Sequence, residues 1–170
     1  MWALITSNPN WSDGTAVFDA SRDNVGTAAA PSIASLTEAR EAMRTRTGLD
    51  GKTIISATPR FVLVGADLET EAEQVLASIQ PNKTDDVNPF GGKLTLLVEP
   101  RLPAGDWYIF ADPARLAAMH YAYLSSAQAV QIKCMEAWDT LGMKFRAFLD
   151  FGAGWTGAAR TRSRGPNPWL

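Results

Sequence analysis

The chain has 170 residues, 46% of them apolar and 20% charged, with a formal net charge of −2. That is ordinary globular usage and enough chain for one domain with a real core. No apolar run approaches the roughly 18 residues of a membrane span, the start (Met1-Trp2-Ala3-Leu4-Ile5) lacks the basic flank of a signal peptide, and the single Cys134 excludes an internal disulfide framework and suits a reducing compartment.

Residues 1–34 are rich in Asn, Ser, Asp, Gly and Ala. Asn8-Pro9 and Asp13-Gly14 are turn signals, and between them and Asp23-Asn24 only Ala16-Val17-Phe18 offers a short strand. The composition predicts an extended arm or loop that orders against partners. Ser35–Arg46 is then predicted as a helix. Ser35 with Glu38 three residues on has the spacing of a capping box, in which each side chain satisfies the other residue's free backbone N–H. Leu36, Ala39 and Met43 share one face at helical spacing. Glu38, Glu41, Arg44 and Arg46 occupy the other, and Gly48 is the expected C-terminal stop.

Lys52–Ile55 and Arg60–Val64 read as two strands separated by Pro59. Asp67 is the expected cap of a second helix, whose Leu68, Ala72, Val75, Leu76 and Ile79 form an apolar stripe. Glu69, Glu71 and Glu73 crowd its first turns, where the positive end of the helix dipole favours acids. A metal site is the other reading of such a cluster, but no His lies nearby to join it.

Asp85–Leu102 reads as the stretch around which the rest is organised. Asn88-Pro89 and Gly91-Gly92 are turn signals. Leu94–Val98 is a short apolar run bounded by Gly-Gly and Pro100, the pattern of a strand buried on both faces. Trp107–Ala111 is a further strand and Pro113–Met119 a short helical turn. Tyr121–Leu124 and Val130–Ala137 read as strands. Asp139-Thr140-Leu141-Gly142 is the turn into an antiparallel neighbour. There Met143, Phe145, Ala147, Leu149 and Phe151 alternate with Lys144, Arg146 and Asp150. Strands with two principal helices make an α+β domain.

The chemistry-bearing residues are few. His120 is the one histidine, so a Ser-His-Asp or Cys-His arrangement could use only that residue. A partly buried polar side chain at a strand edge is the simpler reading. No Cys pair or His pair offers a zinc site. Gly91-Gly92-Lys93 lacks the earlier glycine and the following Ser or Thr of a phosphate-binding loop, and reads as a turn. Trp107-Tyr108 has the chemistry of a sugar or base platform, but at strand spacing such a pair belongs to the core or a sheet face. The expectation is an enzyme's absence: no catalytic, cofactor-binding or metal-binding residue, and no cofactor.

Charge is distributed unevenly. All 18 acids and 13 of the 16 Lys and Arg precede residue 155, a net of −5, whereas the last 16 residues carry Arg160, Arg162, Arg164 and no acid, a net of +3. Residues 155–170, with two Pro and little apolar content before Trp169, read as a tail outside the fold, a DNA-contacting basic arm being the alternative.

Several runs together resemble the Mu-like prophage major head subunit family of tailed-phage major capsid proteins. They are Ser32–Arg46 (S-I-A-S-L-T-E-A-R-E-A-M-R-T-R), Gly48–Lys52 (G-L-D-G-K), Pro59–Val64 (P-R-F-V-L-V), Leu68–Ile79, Asn88–Leu102 (N-P-F-G-G-K-L-T-L-L-V-E-P-R-L), Trp107–Pro113 and Leu149–Gly154 (L-D-F-G-A-G). The match is collinear over about residues 4–154. It implies the tailed-phage major capsid fold, with a spine helix at Ser35–Gly48, an axial domain at about residues 60–115, and last strands returning to the peripheral sheet. Residues 35–154 would be the capsid-like body, flanked by the arm at 1–34 and the tail at 155–170. Two departures stand out. The family is usually longer at the N-terminus, which implies the C-terminal portion of a capsid protein and an assembly short of closed shells. Arg22-Asp23-Asn24 also stands where the family often has His-Gly-Asn. Family members commonly continue past Gly-Ala-Gly as Asp-Trp-Arg-Gly, and a single-base deletion there would produce this tail.

The implied function is a structural subunit of a phage or prophage shell in the virion, assembled in the bacterial cytoplasm. Its partners would be copies of itself in rings or small oligomers, with other capsid or scaffold proteins, and no specific nucleic acid or membrane. The alternatives are a prophage remnant kept by the host as an accessory or binding module, and the capsid half of a protease–capsid fusion.

Overall fold

The computed structural model describes residues 2–26, 29–48, 50–77, 90–139, 141–155 and 161–164. The expected turn at Asp85–Pro89, the stripe position Ile79 and Thr140 lie outside the described residues. Helices and strands are mixed in one chain, compatible with the α+β reading.

The centre is a four-stranded sheet in the order β2-β1-β3-β8, built from β1 (Pro59–Val64), β2 (Thr95–Val98), β3 (Trp107–Ala111) and β8 (Thr161–Arg164). β1 pairs with β2 in parallel, Phe61 opposite Thr95, and with β3 antiparallel, Val62 opposite Ile109. β1 and β3 are the buried strands. Their side chains divide with the period of two that a pleated strand imposes. Val62, Val64, Trp107, Ile109 and Ala111 enter one cluster with Leu36, Ala39, Met43, Leu68 and Ala72 of the helices. Leu63 and Tyr108 enter a second cluster with Ile5, Val17, Phe18 and Leu102, against which Phe110 also packs. The sheet is therefore covered on one face by helices and on the other by the N-terminal segment.

That second layer corrects the expected extended arm. Helix α1 (Trp2–Thr6) places Ile5 in the core, and Val17 and Phe18 are buried. Asn8 clamps Phe18 as a strand neighbour would: its Nδ2 donates to Phe18 O at 2.9 Å and its Oδ1 accepts from Phe18 N at 2.8 Å. Asn24, fully buried, accepts from Asp19 N at 2.8 Å and donates to Val17 O. Trp107 Nε1 donates to Ala29 O at 2.8 Å. Side-chain amides thus satisfy backbone groups that no ladder reaches.

Helix α2 (Ile33–Thr45) starts two residues before the expected position. Ser32, not Ser35, is the N-cap, and Ser35 takes the place assigned to Glu38. Ser32 Oγ accepts from Ser35 N at 3.1 Å and Ser35 Oγ accepts from Ser32 N at 2.9 Å. The expected face is the buried one: Leu36, Ala39 and Met43. The helix ends at Arg46, which turns extended, so Gly48 is not its stop. Instead Gly48 N donates to Thr53 O at 2.7 Å across a loop held by Asp50, and the expected Lys52–Ile55 strand reduces to one bridge between Thr47 and Ile54.

Asp67 does not cap helix α3 (Glu69–Leu76). It lies in a 3-10 turn, Ala66–Leu68, and its carboxylate accepts from Gly105 N at 2.7 Å. Leu68 and Ala72 are buried, with Val75 and Leu76 packed against them. β2 is a correction of another kind. Leu97 and Val98 are exposed, so this strand is an edge rather than one buried on both faces. Gly92 has φ +68°, as its turn requires.

Beyond the body run β4 (Met119–Tyr123), β5 (Gln131–Glu136), β6 (Met143–Phe148) and β7 (Phe151–Trp155). Among the described residues β4 pairs only with β7, and β5 only with β6, each antiparallel. Met119 begins β4, so the expected helical piece at Pro113–Met119 is a turn near its start. The alternation read as one strand over Met143–Phe151 is two, interrupted at Leu149-Asp150.

The tail also needs correction. Trp155 Nε1 donates to Leu4 O at 3.1 Å, and its ring meets Phe18 edge-on at 5.4 Å. β8 pairs with β3, Trp107 opposite Arg164. Trp155 and residues 161–164 thus belong to the folded body.

Candidate functional site

The residues with catalytic chemistry are scattered. His120 lies on β4 opposite Gly154 and is exposed, not partly buried. Trp107 and Tyr108 are both buried and offer no platform. Glu71 and Glu73 are exposed on α3, and among the described residues no group of three or more His, Cys, Asp or Glu is arranged to hold a metal. Gly92 and Lys93 form a turn closed by Lys93 N on Phe90 O at 3.0 Å. A shallow cleft of about 310 Å³ lies between Ile55–Thr58 and Ala111–Leu116. Its one carboxylate, Asp112, accepts from Ala114 N at 3.0 Å and faces Arg60 at 4.0 Å. No described helix is long and apolar enough to cross a membrane.

What the structure does concentrate is exposed apolar surface, and it lies on the ribbon of β4–β7 and β5–β6. Residues directly opposite in an antiparallel pair share a face. On β4–β7, Met119, Tyr121 and Tyr123 therefore share a face with Trp155, Ala153 and Phe151. At the Met119–Trp155 end this face packs against the second core cluster. Outward it becomes an aromatic shelf, with Tyr121, Tyr123 and Phe151 exposed and their ring centroids 5.7–6.2 Å apart.

The β5–β6 pair is divided by chemistry. One face carries Ile132, Cys134 and Glu136 opposite Ala147, Phe145 and Met143. The other carries Gln131, Lys133 and Met135 opposite Phe148, Arg146 and Lys144. The second face is cationic, with Lys133 and Arg146 over the Phe148 ring at 5.7 and 5.1 Å. Lys144 reaches Asp139 at 2.7 Å. The first face holds one charge, and Ile132 and Phe145 on it are 71% and 72% exposed. At the tip Trp138 and Leu141 are fully exposed. Sequence alternation located the faces of β6 but assigned them no partner. The signal that could have marked this surface is the large apolar pair Trp138 and Leu141, one just before the expected Asp139–Gly142 turn and one within it, where polar residues are the rule.

The model of a protein family described as phage capsid protein matches residues 1–161. The chain belongs to the phage capsid protein family. The match spans the N-terminal segment, the central sheet and the ribbon, and ends on the first residue of β8. No curated protein matches the chain. Membership assigns this phage capsid protein a structural role in the virion, in a family that is generally non-enzymatic. An exposed apolar ribbon suits that role, because large uncovered apolar patches on a folded chain mark surfaces that another molecule covers.

Proposed function

We propose that this protein is a major head subunit of the Mu-like kind, carrying the tailed-phage major capsid fold and associating with copies of itself into rings or small oligomers of a shell. On this reading α2 is the spine helix, about residues 60–115 form the axial part, and assembly takes place in the bacterial cytoplasm, with other capsid or scaffold proteins as further partners. The protein has no catalytic, metal or cofactor site of its own, and its net charge of −2 suits a wall that does not grip packaged DNA. The observation that carries the proposal is the family match over residues 1–161, together with the ribbon that leaves the body with both faces exposed. A two-stranded sheet is marginal in water by itself, so a subunit that keeps one is built to be completed by a neighbour.

Size-exclusion chromatography with light scattering, followed by negative-stain microscopy, tests this. Oligomers, rings or shells are the expected outcome. A strict monomer at every accessible concentration would favour a host-retained accessory module with the same fold.

A further inference from the structure

We propose that the apolar face of the β5–β6 ribbon is a two-fold docking surface whose occupant is the same face of a second copy of this chain. The inference rests on the self-association proposed above and adds to it the residues and the symmetry of one contact. Three observations select the occupant.

The first is charge. The face of Ile132, Cys134, Phe145, Ala147 and Met143 carries Glu136 alone, at the end nearest the tip. The opposite face carries Lys133, Lys144 and Arg146. Two cationic faces would repel across a two-fold axis, whereas the apolar face can meet itself without burying a cation. A two-fold contact uses the same patch on both partners, and this patch is self-complementary in chemistry.

The second is area. On the face Ile132, Phe145 and Met143 are 71%, 72% and 57% exposed, and the tip that extends it adds the fully exposed Trp138 and Leu141. Side chains of this size carry together on the order of 800 Å², which is what each partner contributes to a stable interface of standard size.

The third is architecture. β5–β6 is a sheet of two strands with no third strand and no covering layer among the described residues. Stacking two such ribbons about 10 Å apart gives a four-stranded sandwich with a dry interior, the smallest arrangement that stabilises both. Neither core cluster includes any residue of β5 or β6, so the body does not depend on the contact.

Cys134 reports on the geometry without engineering. It is the chain's single cysteine, it is exposed, and it lies opposite Phe145 in the middle of the apolar face. In a two-fold stack the two copies of Cys134 face each other near the axis, within reach of a short bismaleimide. The full chain is treated with that reagent at low micromolar concentration and analysed by mass, alongside light scattering of three proteins. The wild type is expected to give a covalent dimer through Cys134 as its main product. Phe145→Asp places a carboxylate in the centre of the face and weakens the dimer on the order of 100-fold, with the melting temperature of the body unchanged. Lys133→Glu, on the opposite face, leaves the dimer intact. Oligomers that form without a Cys134 link, or that survive Phe145→Asp, overturn the two-fold contact while leaving self-association standing. A dimer lost on Lys133→Glu but not on Phe145→Asp assigns the contact to the cationic face. A chain that stays monomeric and unlinked overturns both this inference and the proposed function.

Discussion

Asp106 is buried where the chain turns into β3, and Asp67 lies close enough for its charge to be felt. Burial pushes the Asp106 carboxyl above the usual carboxylate range, and the Asp67 charge adds to the rise. Such a group stabilises the fold only while it is protonated. Its contribution is complete below the unfolded value of about 4 and is lost as pH rises through the higher folded value. At neutral pH the Asp106 carboxyl therefore costs stability. Asp106→Asn is expected to raise the melting temperature at pH 7, with the gain shrinking through the mildly acidic range and absent near pH 3. Calorimetric melts of both proteins between pH 3 and 8 check this; a gain independent of pH would mean that the carboxyl is not the cause. Other residues at this scale could not be read from the sequence because their partners are remote. Trp155 stands where the composition turns basic, which placed it outside the fold, yet its indole N–H meets Leu4 O, 151 residues away. Asn24 lies in a polar, turn-rich stretch and is fully buried, because its amide serves two specific backbone groups, Val17 O and Asp19 N, that are not its neighbours in sequence. Residue type indicates what a side chain can bond. It does not indicate which distant backbone group needs it.

At the scale of elements, the start of α2 shows where local rules suffice and where they slip. Two serines three residues apart, Ser32 and Ser35, close the cap reciprocally, and each satisfies an N–H that the helix leaves free. Ser32→Ala is expected to cost about 1 kcal/mol, Ser32→Asp far less, because a carboxylate can accept the same bond. Urea unfolding at constant m-value reads the difference; equal losses in both variants would show that Ser32 matters for something other than its acceptor. The apolar face of the helix was legible because Leu36, Ala39 and Met43 obey the helical period whichever serine begins it. Strands were legible as runs and misjudged in rank. Leu94–Val98 and Arg60–Val64 are equally apolar, yet one is an edge and the other the centre. The difference lies in pairing, which puts β3 and β2 on either side of β1 and leaves β2 with one neighbour among the described strands. Lys52–Ile55 failed as a strand because Asp50 collects Thr53 N at 3.0 Å and Lys52 N at 3.1 Å, closing a loop where a ladder was expected.

The molecule as a whole is uneven in a way that bears on its function. β1 and β3 are covered on both faces, by α2 and α3 on one and by the N-terminal segment on the other. Among the described residues the ribbon has no such cover beyond Trp155 and Met119, and none of β5 or β6 joins either cluster. The alternation over Met143–Phe151 was visible in the sequence, but alternation reports only that one face is apolar. Among the described residues none covers that face, so the candidate surface could not be recognised before the ribbon was seen to leave the body. Local opening free energies range from near zero where apolar contacts are few to the global value in a packed core. Amide hydrogen exchange of the dilute monomer is therefore expected to show β1 and β3 exchanging slowest, through global unfolding. β5 and β6 should exchange orders of magnitude faster, because their ladder opens without disturbing the body. Raising the concentration until the chain associates should slow β5 and β6 selectively, by the factor that mass action gives for a partner bound only to the closed ribbon. β1 and β3 gain protection only in so far as global unfolding also requires dissociation. If β5 and β6 are already as slow as β1 and β3 in the monomer, the ribbon is stable alone and has no need of a neighbour. If they stay fast in the associated state, the shell contact lies elsewhere on the subunit.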